Sequence, residues 1–521
     1  MDEFLEQRVE QLREVKKAAA LGGGEAKIAK QRARGKLTAR ERIDLLLDPG
    51  SFVELQMLVK HIGGNAGDGI VVGYGKVNGR QVCVYSQDAT VQGGSIGSAH
   101  GYKMYRITER ALDTGVPIIG INDSPGARTP KMGPDGMSGF DMLQEKSGGS
   151  VFFPNTEASG AIPQISAMLG SCGGISVYSP ALTDFIFMVD DISHMFITGP
   201  RVVKSVLGED VGANELGGSK LHSRVSGVCD IRTKTEAECF EKIRKLLGFL
   251  PLNCDEKPPY VDTGDDPDRY DDELGDMIPC NFTKPFDMRK FVKRIVDNGD
   301  FLEIKPEWAG EIVTGFGRMG GNTVGVVANQ PMVRAGSMTV DSSRKQARFI
   351  RFCDCFNIPV LMLVDTPAYM PGTEMESKGI IHHGAKVLYA LCEATVPRVG
   401  VILRKAYGGG NLGMGTVAGM GTDFVYNWPI MELGIMGAEQ SVDLFYGPQI
   451  QAADDPVAFK AQKVREYRDM VANPMVMASE NPFVEDIIEP RETRRVIIRA
   501  FEALKNKKTT RRAKKHGNIP L

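Results

Sequence analysis

The 521-residue chain has no apolar run long enough to cross a membrane and almost no net charge. Its apolar runs, such as Phe185–Val189, fall far short of the ~20 residues that span a bilayer. The 63 Lys and Arg nearly cancel the 65 Asp and Glu, which argues against a nucleic-acid binder because such proteins carry a basic excess. The first residues are charged and helix-like, unlike a signal peptide. We therefore expect a cytoplasmic protein without a membrane span.

Cysteine patterns that would hold zinc or build a disulfide framework are also missing. The nine cysteines are an odd number, scattered along the chain and without a CxxC pair. This usage is typical of reduced, mostly buried thiols in an intracellular protein. The adjacent pair His382 and His383 cannot face one ligand on a helix, so no metal site is predicted.

Motifs for nucleotide binding and for nucleophilic catalysis are absent as well. No GxxxxGK[ST] loop is present. The glycines of Gly73–Gly75 lead into a predicted strand, where a phosphate-binding loop needs a helix. A Ser-His-Asp hydrolase of the Gly-x-Ser-x-Gly type would need that turn directly after a strand, and none is convincing.

Glycine, in contrast, is abundant and clustered. The chain has 60 glycines, more than the average usage of about 7% would give. Clustered glycines indicate places where the backbone turns sharply or approaches a ligand closely. Around them, the pattern predicts helix over the first 48 residues, a hairpin at Asn78-Gly79, a helix over Ala99–Thr114 and a strand over Val116–Ile121. Such alternation predicts an α/β fold.

The second half of the chain repeats the first. A shift of 242 residues carries the following residues onto identical ones: Val82, Gly94, Ser95, Lys103, Arg106, Pro117, Asp123 and Pro125. A shift of 234 then carries Gly174 onto Gly408. A proline-rich, acidic segment at 251–279 reads as an interdomain linker. Together with the length, which exceeds one core, the repeat predicts two copies of one α/β unit, at 1–260 and 261–521.

Each copy has a buried strand that runs into a glycine turn. Outward-pointing N–H groups at such a turn, next to a helix start, stabilise an oxyanion such as a thioester enolate. A single turn of this kind more often serves tight packing, but two at matched positions favour catalysis. The candidate residues are Gly173, Gly174 and Ile175 in the first copy and Gly408, Gly409 and Gly410 in the second.

Five stretches of the chain match a known pattern: Arg34–Arg42, Tyr178–Phe185, Phe196–Pro200, Arg404–Gly409 and Lys514–Leu521. They resemble the carboxyltransferase subunit of biotin-dependent acyl-CoA carboxylases, of the propionyl-CoA carboxylase β and methylmalonyl-CoA decarboxylase α type. The resemblance covers essentially the whole chain in order. It implies two tandem crotonase-like (ClpP/crotonase) domains, with acyl-CoA held by the first and biotin entering from the side of the second.

The resemblance also implies a mechanism and an assembly. Carboxybiotin releases CO2, the biotin anion takes the α-proton of the acyl-CoA, and the enolate attacks CO2, with each glycine turn forming one oxyanion hole. The active sites would lie between subunits of a homohexamer, a trimer of dimers. The chain has no Ala/Val-Met-Lys-Met sequence near its carboxyl end and no ATP-binding region. Separate biotin carboxyl carrier and biotin carboxylase subunits are therefore expected as partners, with no metal.

Three residues depart from the family pattern. Ile175 and Pro125 replace glycines, and Leu412, next to Asn411, replaces an acid near the acyl end. We expect Asn411 and Leu412 to bind substrate, in a more hydrophobic pocket that accepts an acyl-CoA other than propionyl-CoA. The alternatives are a decarboxylase that runs in reverse, a biotin-independent crotonase-type hydratase or hydrolase, and a non-enzymatic assembly subunit.

Overall fold

The computed structural model describes residues 2–60, 64–128, 131–133, 136–138, 150–417, 419–470, 473–480 and 484–520. The chain divides into two compact units, Met1–Glu256 and Lys257–Leu521. This boundary lies close to the one expected from the repeat. Among the described residues, no helix combines the length and hydrophobicity that a membrane crossing requires.

The first unit contains ten helices and eleven strands among its described residues. The helices are α1 Glu3–Ala20, α2 Glu25–Arg32, α3 Ala39–Leu46, α4 Ser98–Thr114, α5 Phe152–Ala158, α6 Ile175–Leu182, α7 Pro200–Leu207, α8 Ala213–Gly217, α9 Ser219–Leu221 and α10 Glu236–Phe249. The strands are β1 Val53–Leu55, β2 Ile70–Val77, β3 Arg80–Gln87, β4 Ile118–Asn122, β5 Lys131–Gly133, β6 Gly136–Ser138, β7 Gln164–Met168, β8 Ser171–Gly173, β9 Phe185–Val189, β10 His194–Phe196 and β11 Ile231–Thr233.

The second unit has the same kinds of element. Its described helices are α11 Leu274–Met277, α12 Met288–Ile295, α13 Val340–Cys355, α14 Thr373–Ser377, α15 Ile380–Glu393, α16 Gly408–Gly413, α17 Ala438–Ala452, α18 Pro456–Met470, α19 Pro474–Glu480 and α20 Thr493–Ala503. Its described strands are β12 Phe301–Ile304, β13 Ile312–Met319, β14 Asn322–Asn329, β15 Val360–Thr366, β16 Arg398–Tyr407, β17 Phe424–Asn427, β18 Glu432–Gly434 and β19 Asp486–Ile487.

The two sheets have the same topology. The first has the order β1-β2-β3-β4-β7-β9-β11 and the second the order β12-β13-β14-β15-β16-β17-β19. In each, the first three strands are antiparallel and the others parallel. Strands β2, β3 and β4 recur 242 residues later as β13, β14 and β15. The parallel pair β8–β10 of the first unit corresponds to the pairing of the end of β16 with β18 in the second.

Local signals in the sequence explain several element boundaries. Thr38 caps α3 and Glu41 bonds back to it, as a capping box does. Asn78 and Gly79 both have positive φ angles, which a two-residue hairpin of this type requires. Helix α4 spans nearly the range expected from the sequence and ends at Gly115 in the left-handed conformation.

Two expectations need correction. The first 48 residues form three helices, because Gly22–Gly24 and the residues around Gly35 interrupt the pattern. The segment at 251–279 is only partly an exposed linker. Leu274 and Ile278 are buried in the core of the second unit, so they anchor the segment to that unit.

Each unit has its own hydrophobic core. In the first unit, the central strands pack under α4, with Tyr85, Met104 and Ile118 fully or almost fully buried. In the second, Trp428 packs against Phe291 with ring centroids 5.7 Å apart. These cores hold the central strands in place. The second glycine turn directly follows the central strand β16, whereas the first follows β8, which comes shortly after the central strand β7.

Candidate active site

The first glycine turn lies at the end of β8, where the chain enters α6. Gly174 has φ +58° and ψ −127°, a conformation that L side chains rarely adopt, which is why glycine is needed there. Its N–H donates to the carbonyl of Ile197 at 2.9 Å and so extends the β8–β10 pairing by one residue. The turn is therefore fixed by backbone bonding on one side.

Hydrogen bonds decide which amides of this turn can reach a ligand. The N–H of Gly173 donates to Ser176 Oγ at 3.1 Å, and the N–H of Gly174 donates to the carbonyl of Ile197. The hydroxyl of Ser176 donates in turn to the carbonyl of Ser124 at 2.7 Å. Ile175 is the first residue of α6, and within the described part of the chain its N–H has no acceptor. Of the three residues predicted here, Ile175 is thus the one with a donor to offer.

The loop beside this turn is held by a buried charge network. Arg42 is fully buried and contacts Asp123 at 2.9 Å and Glu236 at 2.8 Å. Lys36 contacts the same Asp123 carboxylate at 2.6 Å. The pKa of Arg42 is raised: burial opposes its charge, but the two carboxylates outweigh that effect. Pro125 lies two residues further on and is exposed, so its ring does not fill the turn.

The second glycine turn lies between β16 and α16. Gly408 has φ +48°, and a Cβ at this residue would lie 2.8 Å from the carbonyl oxygen of Ile435. A Cβ on Gly409 would meet the Tyr369 ring at 3.2 Å, and one on Gly410 would meet Thr366 at 3.0 Å. Larger residues would therefore require the surrounding chain to shift.

The two predicted substrate-binding residues point to different environments. Asn411 is buried, and its side-chain oxygen accepts a hydrogen bond from the Thr416 hydroxyl. Leu412 is 39% exposed. Leu412 is thus the residue that can meet a ligand, whereas Asn411 stabilises the turn from inside.

Polar and charged side chains lie beside the second turn. Tyr407 donates to Glu432 at 2.6 Å, and Arg468 contacts the same carboxylate at 2.7 Å. Burial and the Glu432 carboxylate raise the pKa of Tyr407, so its phenol stays protonated. Arg404 and Asp365, both fully buried, are 2.7 Å apart at the base of the turn.

Sequence reasoning missed a polar cluster beside the first turn. Ser171 Oγ lies 2.8 Å from His194 Nδ1, and His194 Nε2 lies 2.9 Å from Asn214 Oδ1. The three residues are far apart in sequence, and the parallel pairing of β8 with β10 brings Ser171 opposite His194. No local motif signals such a pairing, because it depends on a tertiary contact.

Across the residues that the structure describes, no group of three or more His, Cys, Asp or Glu side chains is arranged to hold a metal ion. All nine cysteines are free thiols. The arrangement offers backbone donors at two turns and a neutral Ser–His pair at the first.

Comparison with known proteins gives a consistent result. Residues 30–519 match the family model described as carboxyl transferase domain. The chain is 49% identical to the propionyl-CoA carboxylase beta chain of Roseobacter denitrificans, covering 98% of this chain and 99% of that one. It is 46% identical to the methylmalonyl-CoA decarboxylase subunit alpha of Veillonella parvula, covering 99% of each.

A solved structure is similar over the whole chain. It is the transcarboxylase 12S hexamer with methylmalonyl-coenzyme A and methylmalonic acid bound. The two chains are 45% identical with a TM-score of 0.93, covering 99% of this chain and 98% of the other. The likeness confirms the predicted α/β fold with two tandem crotonase-like domains.

Proposed function

This chain belongs to the carboxyl transferase domain family and is a carboxyltransferase subunit of the acyl-CoA carboxylase type. We propose that it moves a carboxyl group between carboxybiotin and the α-carbon of an acyl-CoA. The biotin would be carried by a separate biotin carboxyl carrier protein, loaded by a biotin carboxylase subunit. The acyl-CoA would bind to the first unit and biotin to the second.

The observation that carries this proposal is the pair of glycine turns at matched positions in a duplicated fold. The thioester carbonyl becomes negatively charged when the α-proton leaves, and a fixed N–H aimed at that oxygen stabilises the charge. The N–H of Ile175 is suited to this role in the first unit. In the second unit, the turn of Gly408, Gly409 and Gly410 offers N–H donors to the ureido oxygen of biotin, which becomes negatively charged when carboxybiotin releases CO2.

The carboxylates around the turns support a mechanism in which no carboxylate of the protein takes or gives the proton. The carboxylates next to the turns, Asp123, Asp365 and Glu432, are all committed to arginine or lysine partners. When bound, carboxybiotin supplies both the carboxyl group and the base. The chain then has to orient the thioester, hold its oxygen and exclude water, which are the contributions proteins make around reactive cofactors.

Assembly is supported by apolar surface that a lone chain leaves exposed. Ile197 is 60% exposed, and Val206 and Leu207 are each 72% exposed. A shift of 238 residues gives Ile435, Leu444 and Phe445, with exposures of 86%, 63% and 62%. Val206 and Leu207 lie on α7 and Leu444 and Phe445 on α17, and exposed large apolar residues of this kind mark interaction sites. We propose that these two faces meet between copies in a homohexamer, the assembly named for transcarboxylase 12S.

The acyl group and the direction of transfer belong to the same proposal. Relatives of almost equal identity are named as carboxylase and as decarboxylase subunits, so the same site serves both directions in the family. The exposed Leu412 beside the second turn favours an apolar acyl group larger than propionyl. Nine free thiols are typical of a reducing compartment and support a cytoplasmic location.

The test uses the purified chain with free biotin and a panel of carboxylated thioesters. Malonyl-, methylmalonyl-, ethylmalonyl-, glutaconyl- and aryl-substituted malonyl-CoA would each be incubated with and without biotin, and mass spectrometry would follow the CoA product. The expected result is biotin-dependent loss of the mass of one carbon dioxide from one member of the panel.

The same experiment separates the alternatives. Loss of CO2 or hydration without biotin would indicate a biotin-independent crotonase-type enzyme. Failure to bind every thioester of the panel in a calorimetric titration would favour an assembly subunit. Either result would contradict the proposed carboxyl transfer.

A further inference from the structure

Ser171, His194 and Asn214 form a hydrogen-bonded chain beside the first glycine turn, which we name the Ser171 relay. Ser171 opens β8 and lies three residues before Gly174. Its hydroxyl contacts His194 Nδ1 at 2.8 Å, and His194 Nε2 contacts Asn214 Oδ1 at 2.9 Å. The ring of His194 also stacks on that of Phe196, with centroids 6.3 Å apart, which limits how the imidazole can turn.

The partners of the relay fix the tautomer of the histidine. The amide nitrogen of Asn214 donates to the carboxylate of Asp191 at 3.4 Å, which leaves the amide oxygen facing the ring. An amide oxygen only accepts, so His194 Nε2 must carry the proton. Nδ1 then has its lone pair free to accept the proton of the Ser171 hydroxyl. Asn214 is a positioning residue in this arrangement, because it acts through the histidine.

The environment keeps the pair ready to react. Burial lowers the pKa of His194 in spite of its hydrogen bond to Asn214, so the ring is neutral at pH 7. Ser171 is exposed, so its oxygen is open to a substrate. A neutral imidazole bonded to an accessible hydroxyl is the arrangement by which a base activates a nucleophile.

The second unit shows that the fold does not require this pair. The strand pairing that sets Ser171 opposite His194 recurs as Lys405 opposite Glu432. There, Glu432 is held by Tyr407 and Arg468, and no nucleophile faces a base at that place. The Ser171 relay is therefore a property of the first unit's own side chains and not of the repeated backbone.

We propose that Ser171 is a nucleophile that takes the acyl group from a CoA thioester and passes it to water. The hydroxyl oxygen attacks the thioester carbonyl while His194 Nδ1 takes its proton. The carbon–sulfur bond breaks, and the proton on His194 goes to the departing CoA sulfur. Water, deprotonated by His194, then cleaves the acyl-serine ester, and the proton returns to the Ser171 oxygen.

The proposed nucleophile lies close in sequence to the first glycine turn. Ser171 lies four residues before Ile175, whose N–H is the donor proposed for the thioester oxygen. The proposal shares acyl-CoA binding with the proposed carboxyl transfer, and it adds a reaction that needs neither biotin nor a carboxylated substrate.

The test measures CoA release and carboxyl transfer on one preparation of the full chain. Acetyl-, butyryl- and hexanoyl-CoA are incubated without biotin, free thiol is titrated, and intact-protein mass spectrometry looks for an acyl adduct on Ser171. Ser171→Ala and His194→Gln are expected to lower CoA release by at least about 10²-fold, the loss typical of removing a nucleophile or its base. Ser205→Ala, an exposed serine of α7, serves as the matched control.

A second measurement uses the wild-type chain, so it does not depend on whether the variants fold. A fluorophosphonate probe is expected to label Ser171 in the wild-type chain, with the labelled peptide identified by mass spectrometry, and labelling is expected to fall in Asn214→Leu. Unchanged CoA release in Ser171→Ala would overturn the proposal. So would a wild-type chain that performs biotin-dependent transfer but shows neither adduct nor CoA release. Absence of transfer alongside an acyl adduct would instead count against the proposed function and support the relay.

Discussion

The two units share a backbone but differ in how they neutralise the same buried charge. Asp123 and Asp365 are 242 residues apart, at the carboxyl ends of the fourth strands of their sheets: Asp123 directly follows β4, and Asp365 is the penultimate residue of β15. In the first unit the buried guanidinium comes from Arg42 on α3, and in the second from Arg404 on β16. The geometry of the turn therefore depends on a carboxylate with a cationic partner at that place, while the element that supplies the cation is free to change.

The same contrast holds at the turns themselves. The first turn has Ile175 and the neutral Ser171–His194 pair, whereas the second has three glycines enclosed by Tyr407, Glu432 and Arg468. A duplicated frame thus presents similar backbone donors in two different electrostatic settings. We propose that this difference suits the first turn to a thioester and the second to biotin.

The largest effect is expected from breaking the two buried charge pairs. Arg42→Met and Arg404→Met each leave a buried carboxylate without its main partner, which costs about 3–5 kcal/mol. Urea unfolding should show the loss for both variants, although the arginines come from different elements. Arg344→Met, which removes an exposed pair with Asp341, is the control and should cost under about 1 kcal/mol. Losses below 1 kcal/mol for Arg42→Met or Arg404→Met would show that the matched aspartates do not need these partners.

The next largest effect is expected on the association of copies, from charges placed in the matched apolar faces. Leu207→Asp and Phe445→Asp place a charge in the proposed contact between copies, and each should weaken it by at least about 2 kcal/mol, roughly 30-fold in dissociation constant. Sedimentation velocity over a range of concentrations measures this. Leu45→Asp, an exposed residue of α3, is the control. If only one of the two variants weakens association, the proposal that the two repeated faces contact each other is wrong.

A smaller effect, on the pH dependence of stability, is expected from two buried lysines at matched positions. Lys103 donates to the carbonyls of Gly67 and Ile70, and Lys345 to those of Ala309 and Ile312 among others. Burial lowers the pKa of Lys103 to about 8 and that of Lys345 to about 7. Above these values the unfolded chain keeps a proton that the folded chain has lost, so stability rises with pH up to the ordinary lysine pKa of about 10.4.

Replacement by methionine tests this sign. The free energy of unfolding of the wild type minus that of Lys345→Met should rise from about pH 7, and the difference for Lys103→Met from about pH 8, by at most about 1.4 kcal/mol per pH unit. Urea unfolding at several pH values up to about 9.5 measures both. A difference that stays constant up to pH 9.5 would contradict this sign, because it would mean that the carbonyls keep both ammonium groups charged in the folded chain.

The smallest effect concerns Leu412, where the second unit departs from the family pattern. Leu412→Asp should lower kcat/KM for the longer alkylmalonyl-CoA relative to methylmalonyl-CoA by about tenfold, since one methylene in an apolar pocket is worth about that much. Leu412→Met keeps the apolar character and is the control. Equal ratios in the two variants would remove Leu412 from the acyl pocket.

Much of the fold could be predicted from the sequence because its signals are local or repeated. The capping box at Thr38, the hairpin at Asn78-Gly79 and the 242-residue repeat each depend on neighbouring residues or on a constant shift. The structure of the segment at 251–279 was harder to predict. Its acidic, proline-rich composition hides Leu274 and Ile278, whose burial depends on the distant core of the second unit.

The candidate site was predictable only to the level of the turns. Gly174 and Gly408 could be located from the sequence because a positive φ selects glycine. Which amide remains available could not, because the N–H of Gly174 is used by the carbonyl of Ile197 through the β8–β10 pairing. The inward position of Asn411 likewise depends on its bond to Thr416, which no pattern in the sequence indicates.

The most direct test of the central claim removes the backbone N–H of residue 175. Proline is well tolerated at the first position of a helix, where the N–H has no partner within the helix, so Ile175→Pro should fold with the turn intact. Ile175→Ala keeps the N–H and controls for the lost side chain. The account predicts that kcat for biotin-dependent loss of CO2 falls by about 10²–10³-fold in Ile175→Pro relative to Ile175→Ala. Equal kcat values in the two variants would contradict it.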